Sequence, residues 1–544
     1  MSEDTRLKPL VRFVSILSLL LLAAAAARAA EWSYVVRPGD TLIGIAENYL
    51  SQPARWGRLQ ALNEVADPFR LMPGTRLRIP VAWLRRDAAV ATVIHVRGSV
   101  RRVSPEGEAP VRVGDRLGSG ETLASAEDSN ASLRFVDGSR LLVSEGSRIT
   151  LGRMVEYGGT GMAETTIRLH GGQIDSRVQP QHRPAARYRI ESEALNLGVR
   201  GTDFRVAVGA DGAARGEVSS GRVLATGGRR TVGLDAGYGT VARAGEAPAA
   251  PIALAPAPAL DGLPRRVELL PLRFAWPAGE GNTGWRVRIF PEDDGDALLA
   301  DEVSSTPSVQ YGDLPDGRYR LLVRAVAGNG LEGLDGEHRF EIAARPEPPL
   351  MTAPAAGAVL RGGEATLRWA RPLGIGAFRL QVADDPAFSP PLRVDLAIDA
   401  DTRHTVHLPA GDFHWRIASV MPDGRAGPFG LPQPFSVRPL PEGPDVGAPE
   451  EDGEGVLLRW HAGEPDLSFR VQVARDAAFG EPLADERVAE PQFRLPRGGG
   501  GTYFVRVQAI DGNGNAGPFG RPQQIDFPAP GPWPLLLVVL LIAL

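Results

Sequence analysis

YVVRPGDTLIGIAENYLSQPARWGRLQALNEVADPFRLMPGTRLRIP, residues 34–80, is the most informative stretch of the chain. An alternating run from Tyr34 to Arg37 meets a Pro-Gly-Asp turn. Two short amphipathic stretches follow. A second Pro-Gly turn, Pro73-Gly74, leads into a closing alternating run from Arg76 to Ile79. Strand-type alternation at both ends thus brackets two short amphipathic stretches.

The opening YVVRPGDTLIGIA, the Leu62-Asn63 pair and the closing PGTRLRIP closely resemble the LysM family. The resemblance implies a small α+β module of order βααβ that binds N-acetylglucosamine-containing glycans, chiefly peptidoglycan. It places the ligand groove between the loop after the first strand and the loop before the second. Carried over by motif, Pro38, Gly39, Asp40, Thr41 and Leu42 form one side. Leu71, Met72, Pro73 and Gly74 form the other. A neutral acetamido sugar offers an amide, a carbonyl and hydroxyls that backbone groups of such loops can pair. Leu42 and Met72 are expected to cover its methyl group. Buried area per sugar is small, so one module implies modest affinity unless other contacts add avidity. Locally, Gly39 and Gly74 are expected to make the turns, and Asp40 to cap the first helix through Leu42 or Ile43.

Around this module the chain is long and rich in turns. At 544 residues it exceeds one core and suggests several domains. Its 64 glycines and 47 prolines sit between short apolar runs, which suits a mainly β chain. A net charge of −5 gives no basic footprint, so nucleic acid is not an expected partner. The absence of cysteine excludes disulfides, thiol catalysis and a lipid anchor on an N-terminal cysteine. The single lysine, Lys8, leaves the rest of the chain without a Schiff-base or P-loop lysine. Arg6, Lys8 and Arg12 precede an apolar run from Phe13 to Ala27, and Ala27-Arg28-Ala29 offers a cleavage site. Residues 1–29 therefore read as a secretory signal, cleaved or retained as an anchor, and the body as exported.

Residues 32–84 are taken as the LysM module and 90–245 as one all-β domain, rolled or solenoid-like, with Gly-containing turns at close spacing. In SLRFVDGSRLLV, Leu133 and Phe135 alternate with polar neighbours, Asp137-Gly138 suggests a two-residue hairpin turn, and Leu141 and Val143 resume the apolar face. VRGSVRR from Val96, the run from Val113 to Val143, RLHGGQI from Arg168 and LGVRGTDFRV from Leu197 resemble the FecR family. That resemblance implies a periplasmic domain that relays a receptor signal to a cytoplasmic anti-sigma bundle. Only about a dozen residues precede the first apolar segment, too few for that bundle, so the expectation kept is a β-rich periplasmic interaction domain.

Residues 246–264 are Pro- and Ala-rich and read as a semi-extended linker. Beyond them lies an internal repeat. Strands ending in Trp276, Trp369 and Trp460 are spaced 93 and 91 residues apart. Each is followed by an alternating strand, WRVRIF, FRLQVADDPAF or FRVQVARDAAF, and later by an aromatic strand and a Gly-rich turn. The second and third copies share AGPFG. These copies, 265–345, 350–439 and 446–528, look like divergent fibronectin type III domains, which implies three β-sandwiches. The tail, 533–544, is wholly apolar from Leu535 and shorter than the roughly 20 residues of a spanning helix. It reads as a membrane-dipping anchor, a truncation or a docking tail.

No constellation for catalysis, metal or cofactor emerges. His404 and His407, three apart on a strand, point to opposite faces. DGNGN from Asp511 lacks the sixth-position glycine of a calcium loop and reads as a turn. Neither GGTG from Gly158 nor GGGG from Gly498 precedes a lysine and a helix. The expectation is a non-catalytic envelope protein of multidomain, mainly β fold. It would bind peptidoglycan strands and present its β domains to unidentified envelope partners in the periplasm. Alternatives are a FecR-type signal sensor, and an accessory subunit of a cell-wall hydrolase or a divergent hydrolase.

Overall fold

The computed structural model describes residues 30–104, 107–180, 187–199, 201–451, 453–497 and 499–528. The expected signal segment and apolar tail lie outside them. The chain divides into two compact units, the first ending at Ala343 and the second starting at Ala344.

The first module has the order β1 (Glu31–Val35), α1 (Leu42–Tyr49), α2 (Trp56–Asn63) and β2 (Arg76–Pro80). β1 and β2 pair antiparallel, Tyr34 opposite Leu77. Alternation puts Trp32, Tyr34, Leu77 and Ile79 on the buried face, where Leu42, Ile45 and Leu59 of the helices cover them. Asn63 ties α2 to β2. Its side chain donates to the Arg78 carbonyl (2.9 Å) and accepts from the Arg78 N–H (2.6 Å), as a strand neighbour would. That is a physical reason for asparagine at the end of α2.

This module is seated directly on the next domain. Leu50 pairs with Leu84 at the module's own end, and the chain that follows, Arg86–Ala88, runs antiparallel to Val155–Tyr157. Tyr157 and Met162, which belong to the neighbouring domain by sequence, are buried in the module's own core. Strands from Arg86 to Ala253 close into a barrel around Leu133, Leu141, Ile149, Ile167, Ile190 and Phe204. The hairpin at Asp137-Gly138 has a three-residue loop, not two. The Phe135 N–H donates to the Ser139 carbonyl and the Gly138 N–H to the Phe135 carbonyl, with Gly138 at φ +83°. This is a turn closed by a left-handed glycine.

Residues 246–264 do not run free. Leu254, Leu260 and Leu263 are buried, and the Leu334 N–H donates to the Ala255 carbonyl (2.9 Å). The same device recurs in all three sandwiches. Gly333 and Gly336, Gly427 and Gly430, and Gly517 and Gly520 are each three apart. The Pro-rich segment leading into each sandwich lies against its own pair. A Cβ at Gly427 would overlap the Pro346 carbonyl, one at Gly517 the Pro441 carbonyl, and one at Gly333 the Ala255 carbonyl. The shared AGPFG thus records a docking site for the incoming strap. Its phenylalanine has a second role. Arg416 lies between Phe388 (3.9 Å) and Phe429 (4.4 Å), and Arg506 between Phe479 (4.1 Å) and Phe519 (4.2 Å). Gln381 and Gln472 hold these guanidiniums by hydrogen bonds of 2.9 Å. Cation–π contacts of this kind contribute about 1 kcal/mol each.

Each sandwich pairs a small sheet with a larger one. In the first, Leu272–Ala275 pairs with Ser308–Tyr311, and the larger sheet contains Asn282–Pro291, Ala300–Ser304, Gly317–Ala327 and Gly336–Ile342. Its outer face is buried against the barrel through charge. Arg288 donates to Asp175 (2.7 Å) and Ser144 (2.8 Å) of the barrel. Arg324 reaches Asp175 (3.1 Å) and Glu332 (3.0 Å). Arg286 bridges Glu332 (2.6 Å) and Asp301 (2.8 Å). Arg205 of the barrel binds Glu217 (2.7 Å) and the carbonyls of Glu332 and Gly333. Burial alone would push the Asp175 carboxyl up. Arg288 and Arg324 outweigh it and hold the group at about 2.

Two predictions follow from these contacts. Gly427→Ala should lower the unfolding midpoint of the chain and expose the strap around Pro346 to proteolysis. Gly480→Ala, whose Cβ meets open space, should do neither. Asp175→Asn should destabilise the first unit by about 3 kcal/mol near pH 7, because it takes from two buried guanidiniums the carboxylate they share and leaves each with its sandwich partners alone. The depressed carboxylate contributes stability that is present above the unfolded pKa and lost as pH falls through about 2. In the variant that share of the acid limb should vanish from a pH series of thermal unfolding curves.

Candidate glycan groove

The two predicted loops are brought together. The Leu42 N–H donates to the Pro68 carbonyl (2.8 Å), the Gly74 N–H to the Val36 carbonyl (2.9 Å), and the Val36 N–H to the Thr75 carbonyl (2.9 Å). Gly39 and Gly74 both adopt φ +87°, so each turn needs a residue free of Cβ strain. A Cβ at either would meet no neighbour within 4 Å, which marks both turns as open on their outer side.

Asp40 does not cap α1. Its Oδ2 accepts from the Tyr34 hydroxyl (2.7 Å) and from the Arg37 N–H (2.7 Å), fastening the turn to β1. Burial, then the Asp40 hydrogen bond and charge, push the Tyr34 hydroxyl up, so it stays a donor. The cap is Thr41, in extended conformation, whose Oγ1 accepts from the Gly44 N–H (3.0 Å). Asp and Thr both suit a cap by type; the turn at Gly39 uses the carboxylate first.

Leu42 is another correction. Its side chain is 0 % exposed and forms part of the module core, so it offers no surface to a sugar methyl. Leu71 is half-buried against the same core. Pro38, Gly39, Met72, Pro73 and Gly74 are exposed. Met72 is 78 % exposed, and Phe69, a residue sequence reasoning passed over, is 65 % exposed on the same arm. The Phe69 N–H is fixed by the Asp67 carboxylate (2.9 Å), which shapes the turn that presents the ring. An aromatic in a loop of Asp, Pro and Arg was the available signal. The open backbone turns are thus accompanied in this segment by one exposed thioether and one exposed aromatic side chain. That suits the backbone amide pairing and apolar stacking that a neutral acetamido sugar needs.

Elsewhere, His407 lies on an exposed strand beside Glu364 (3.2 Å), and Asp511 closes its turn by accepting from the Asn513 and Asn515 N–H groups. Among the described residues no group of three or more His, Cys, Asp and Glu could hold a metal ion. Among them, no helix is long and apolar enough to cross a membrane.

Comparison with known families finds the LysM domain over residues 34–80 and the FecR protein family over residues 121–224. The chain thus carries a LysM domain and a FecR domain. LysM domains bind peptidoglycan glycan, and both types are envelope-associated and non-catalytic. No curated protein matches the chain. Among solved structures it is similar to the FN1–FN3 domains of chicken CNTN1, at 17% identity over 47% of this chain and 93% of that one, with a TM-score of 0.25. It is also similar to the fibronectin(III)-like modules of Clostridium thermocellum CbhA, at 16% identity over 32% of this chain and 92% of that one, TM-score 0.22. A Parabacteroides distasonis protein provisionally assigned as an anti-sigma factor matches at 12% identity over 22% of this chain and 53% of that one, TM-score 0.19. The sandwich assignment rests on the strand pairings above.

Asp40→Ala should free the turn and raise amide hydrogen exchange at residues 37–45 about tenfold, the loss of roughly 1.4 kcal/mol expected for a hydrogen bond to a charged group. Met72→Ala should leave exchange unchanged, since its side chain is exposed and lies outside the module core.

Proposed function

We propose that the chain is a non-catalytic scaffold of the cell envelope. Its LysM module holds N-acetylglucosamine-containing peptidoglycan strands in the groove between the two turns. The barrel and the sandwiches present interaction surface in the periplasm. The observation that carries this reading is the division of labour within the module. Leu42, Tyr34, Asp40 and Thr41 build the turns, while Gly39, Phe69, Met72 and Gly74 stay exposed on them. The seat on the barrel uses Tyr157 and Met162 and leaves these groups open. Contact with one sugar chain is small, so affinity per module is weak and wall retention depends on the density of sites.

A second reading, envelope signal sensing, is favoured by the FecR match over residues 121–224. On that reading the wall-holding module fixes where the sensing barrel stands, and an envelope protein is its partner.

Calorimetric titration of the purified chain with an N-acetylglucosamine tetramer should give a dissociation constant between about 10 μM and 1 mM, or roughly −4 to −7 kcal/mol. The double variant Phe69→Ala, Met72→Ala should weaken it about tenfold without changing the melting temperature. Unchanged binding by that variant would move the site off this groove. Release of muropeptides by the purified chain would replace the scaffold reading with a hydrolase.

A further inference from the structure

The outer face of the larger sheet is covered in one sandwich and open in the other two. In the first it lies against the barrel, and the side chains of the Arg286–Asp301 pair are 14% and 6% exposed. Asp175 of the barrel supplies a carboxylate to Arg288 there (2.7 Å). In the second and third, the corresponding pairs keep between 34% and 52% of their side-chain surface; they are Arg379 with Asp395 and Arg470 with Asp485. Register fixes the correspondence. Arg288 stands across from Asp301 and Leu322, Gln381 from Asp395 and Arg416, and Gln472 from Asp485 and Arg506. The open copies thus carry an arginine where the covered copy has leucine.

Arg416 and Arg506 are held without being neutralised. Two phenylalanine rings cover the faces of each guanidinium, and a glutamine carbonyl takes its Nε–H. Gln472 also accepts from Arg506 Nη2 (2.7 Å). Among the described residues, neither guanidinium has a carboxylate within 4 Å, and both Nη atoms of Arg416 and Nη1 of Arg506 make no hydrogen bond yet keep accessible surface. Burial accordingly lowers the Arg416 guanidinium from its ordinary value, whereas the hydrogen bond to Asp395 raises that of Arg379. Phe388 and Phe479, which supply one ring to each stack, adopt left-handed φ of +58° and +57°, where a bulky residue is rare. Asp385 and Asp476 fix their turns by accepting from the Ala387 and Ala478 N–H groups (2.8 and 3.0 Å). Strain that recurs at one place in two copies, and lays a ring on one cation, preorganises that cation. What remains free is the Nη edge, which can fork onto a carboxylate.

We propose that the second and third sandwiches each dock an acidic protein segment, a carboxylate side chain of which is taken by the Nη edge of Arg416 or Arg506. The covered copy shows what such a face accepts: the sheet surface of another domain, with a carboxylate set against its guanidiniums. An extended segment with acidic residues at alternate positions presents its carboxylates on one side, as a sheet face requires. The proposal gives the scaffold's protein partner a chemistry and rests on that reading, but not on the glycan groove. Its test contains no glycan, so the two can fail separately.

The test is a calorimetric titration of the full chain with a short acetylated and amidated peptide of alternating Ser and Glu, beside the same peptide of Ser and Gln. The acidic peptide should bind with a dissociation constant below about 1 mM, and the neutral one should give no heat. The net charge of −5 works against unspecific attraction of an anionic peptide. Arg416→Gln with Arg506→Gln should weaken binding at least about tenfold. Arg416→Lys with Arg506→Lys, which keep the charge and lose the fork, should weaken it less. In the unmodified chain, phenylglyoxal attacks the Nη atoms of accessible arginines. The acidic peptide should protect Arg416 and Arg506 from it and leave Arg222, whose side chain is 68% exposed, unprotected in a mass-spectrometric digest. No heat from the acidic peptide at about 5 mM, equal binding of the two peptides, or unchanged binding by the glutamine variant would overturn the proposal. Should that variant melt earlier than wild type, the protection pattern decides, and failure to protect both arginines overturns it.

Discussion

Everything in the first unit depends on burying charge successfully. The outer face of the first sandwich is not wetted. It is pressed on the barrel through Arg288 and Arg324, each answered by carboxylates from both domains, while Arg286 is held by Asp301 and Glu332 of the sandwich itself. Desolvating such groups costs several kcal/mol per ion, so the arrangement is tolerable only because each buried guanidinium lies against at least one carboxylate of opposite charge. A seam of this kind is specific rather than adhesive. An apolar face could slide, whereas Asp175 shared by two guanidiniums fixes one register. The barrel therefore carries the LysM module on one flank and the sandwich on another as parts of one body, with Tyr157 and Met162 as the second set of pins.

Sequence reading succeeded where the structure is local. The βααβ order follows from the LysM resemblance, and the burial of Leu133, Phe135, Leu141 and Val143 and the tryptophan period follow from alternation and turn chemistry within short windows. It failed where the deciding partner is distant. Arg286 and Arg288 alternate with Val287 and Ile289, and alternation alone says only that they face away from the sandwich core. It does not say whether water or another domain lies there. A signal existed: where the first repeat has Arg288, the other two have Gln381 and Gln472. Asp175 lies more than a hundred residues from Arg288, and nothing in the sequence joins them.

The groove shows the same division. The two Pro-Gly turns, with their left-handed glycines, are legible in the sequence. The roles within the groove are not. The LysM resemblance places Asp40, Thr41 and Leu42 at the ligand, and residue type suggests Asp40 as a cap. In the folded module all three are occupied with holding the turn, by a tyrosine hydroxyl, a helix amide and the core respectively. Phe69 was passed over because it belongs to no strand or helix pattern, which is also why it remains available. The straps over Gly333, Gly427 and Gly517 extend the lesson to the repeats: a Pro-rich stretch reads as a spacer until the glycines it needs are found some eighty residues later.

The central claim is that exposed Phe69 and Met72, carried on a module fixed to the barrel, hold this protein to the wall. The most direct measurement is sedimentation of the folded chain with purified, protein-free sacculi. Wild type and the Phe69→Ala, Met72→Ala variant would be run side by side, with circular dichroism on both. The account predicts that wild type sediments and the folded variant stays in the supernatant. Equal sedimentation of both, or of neither, would contradict it.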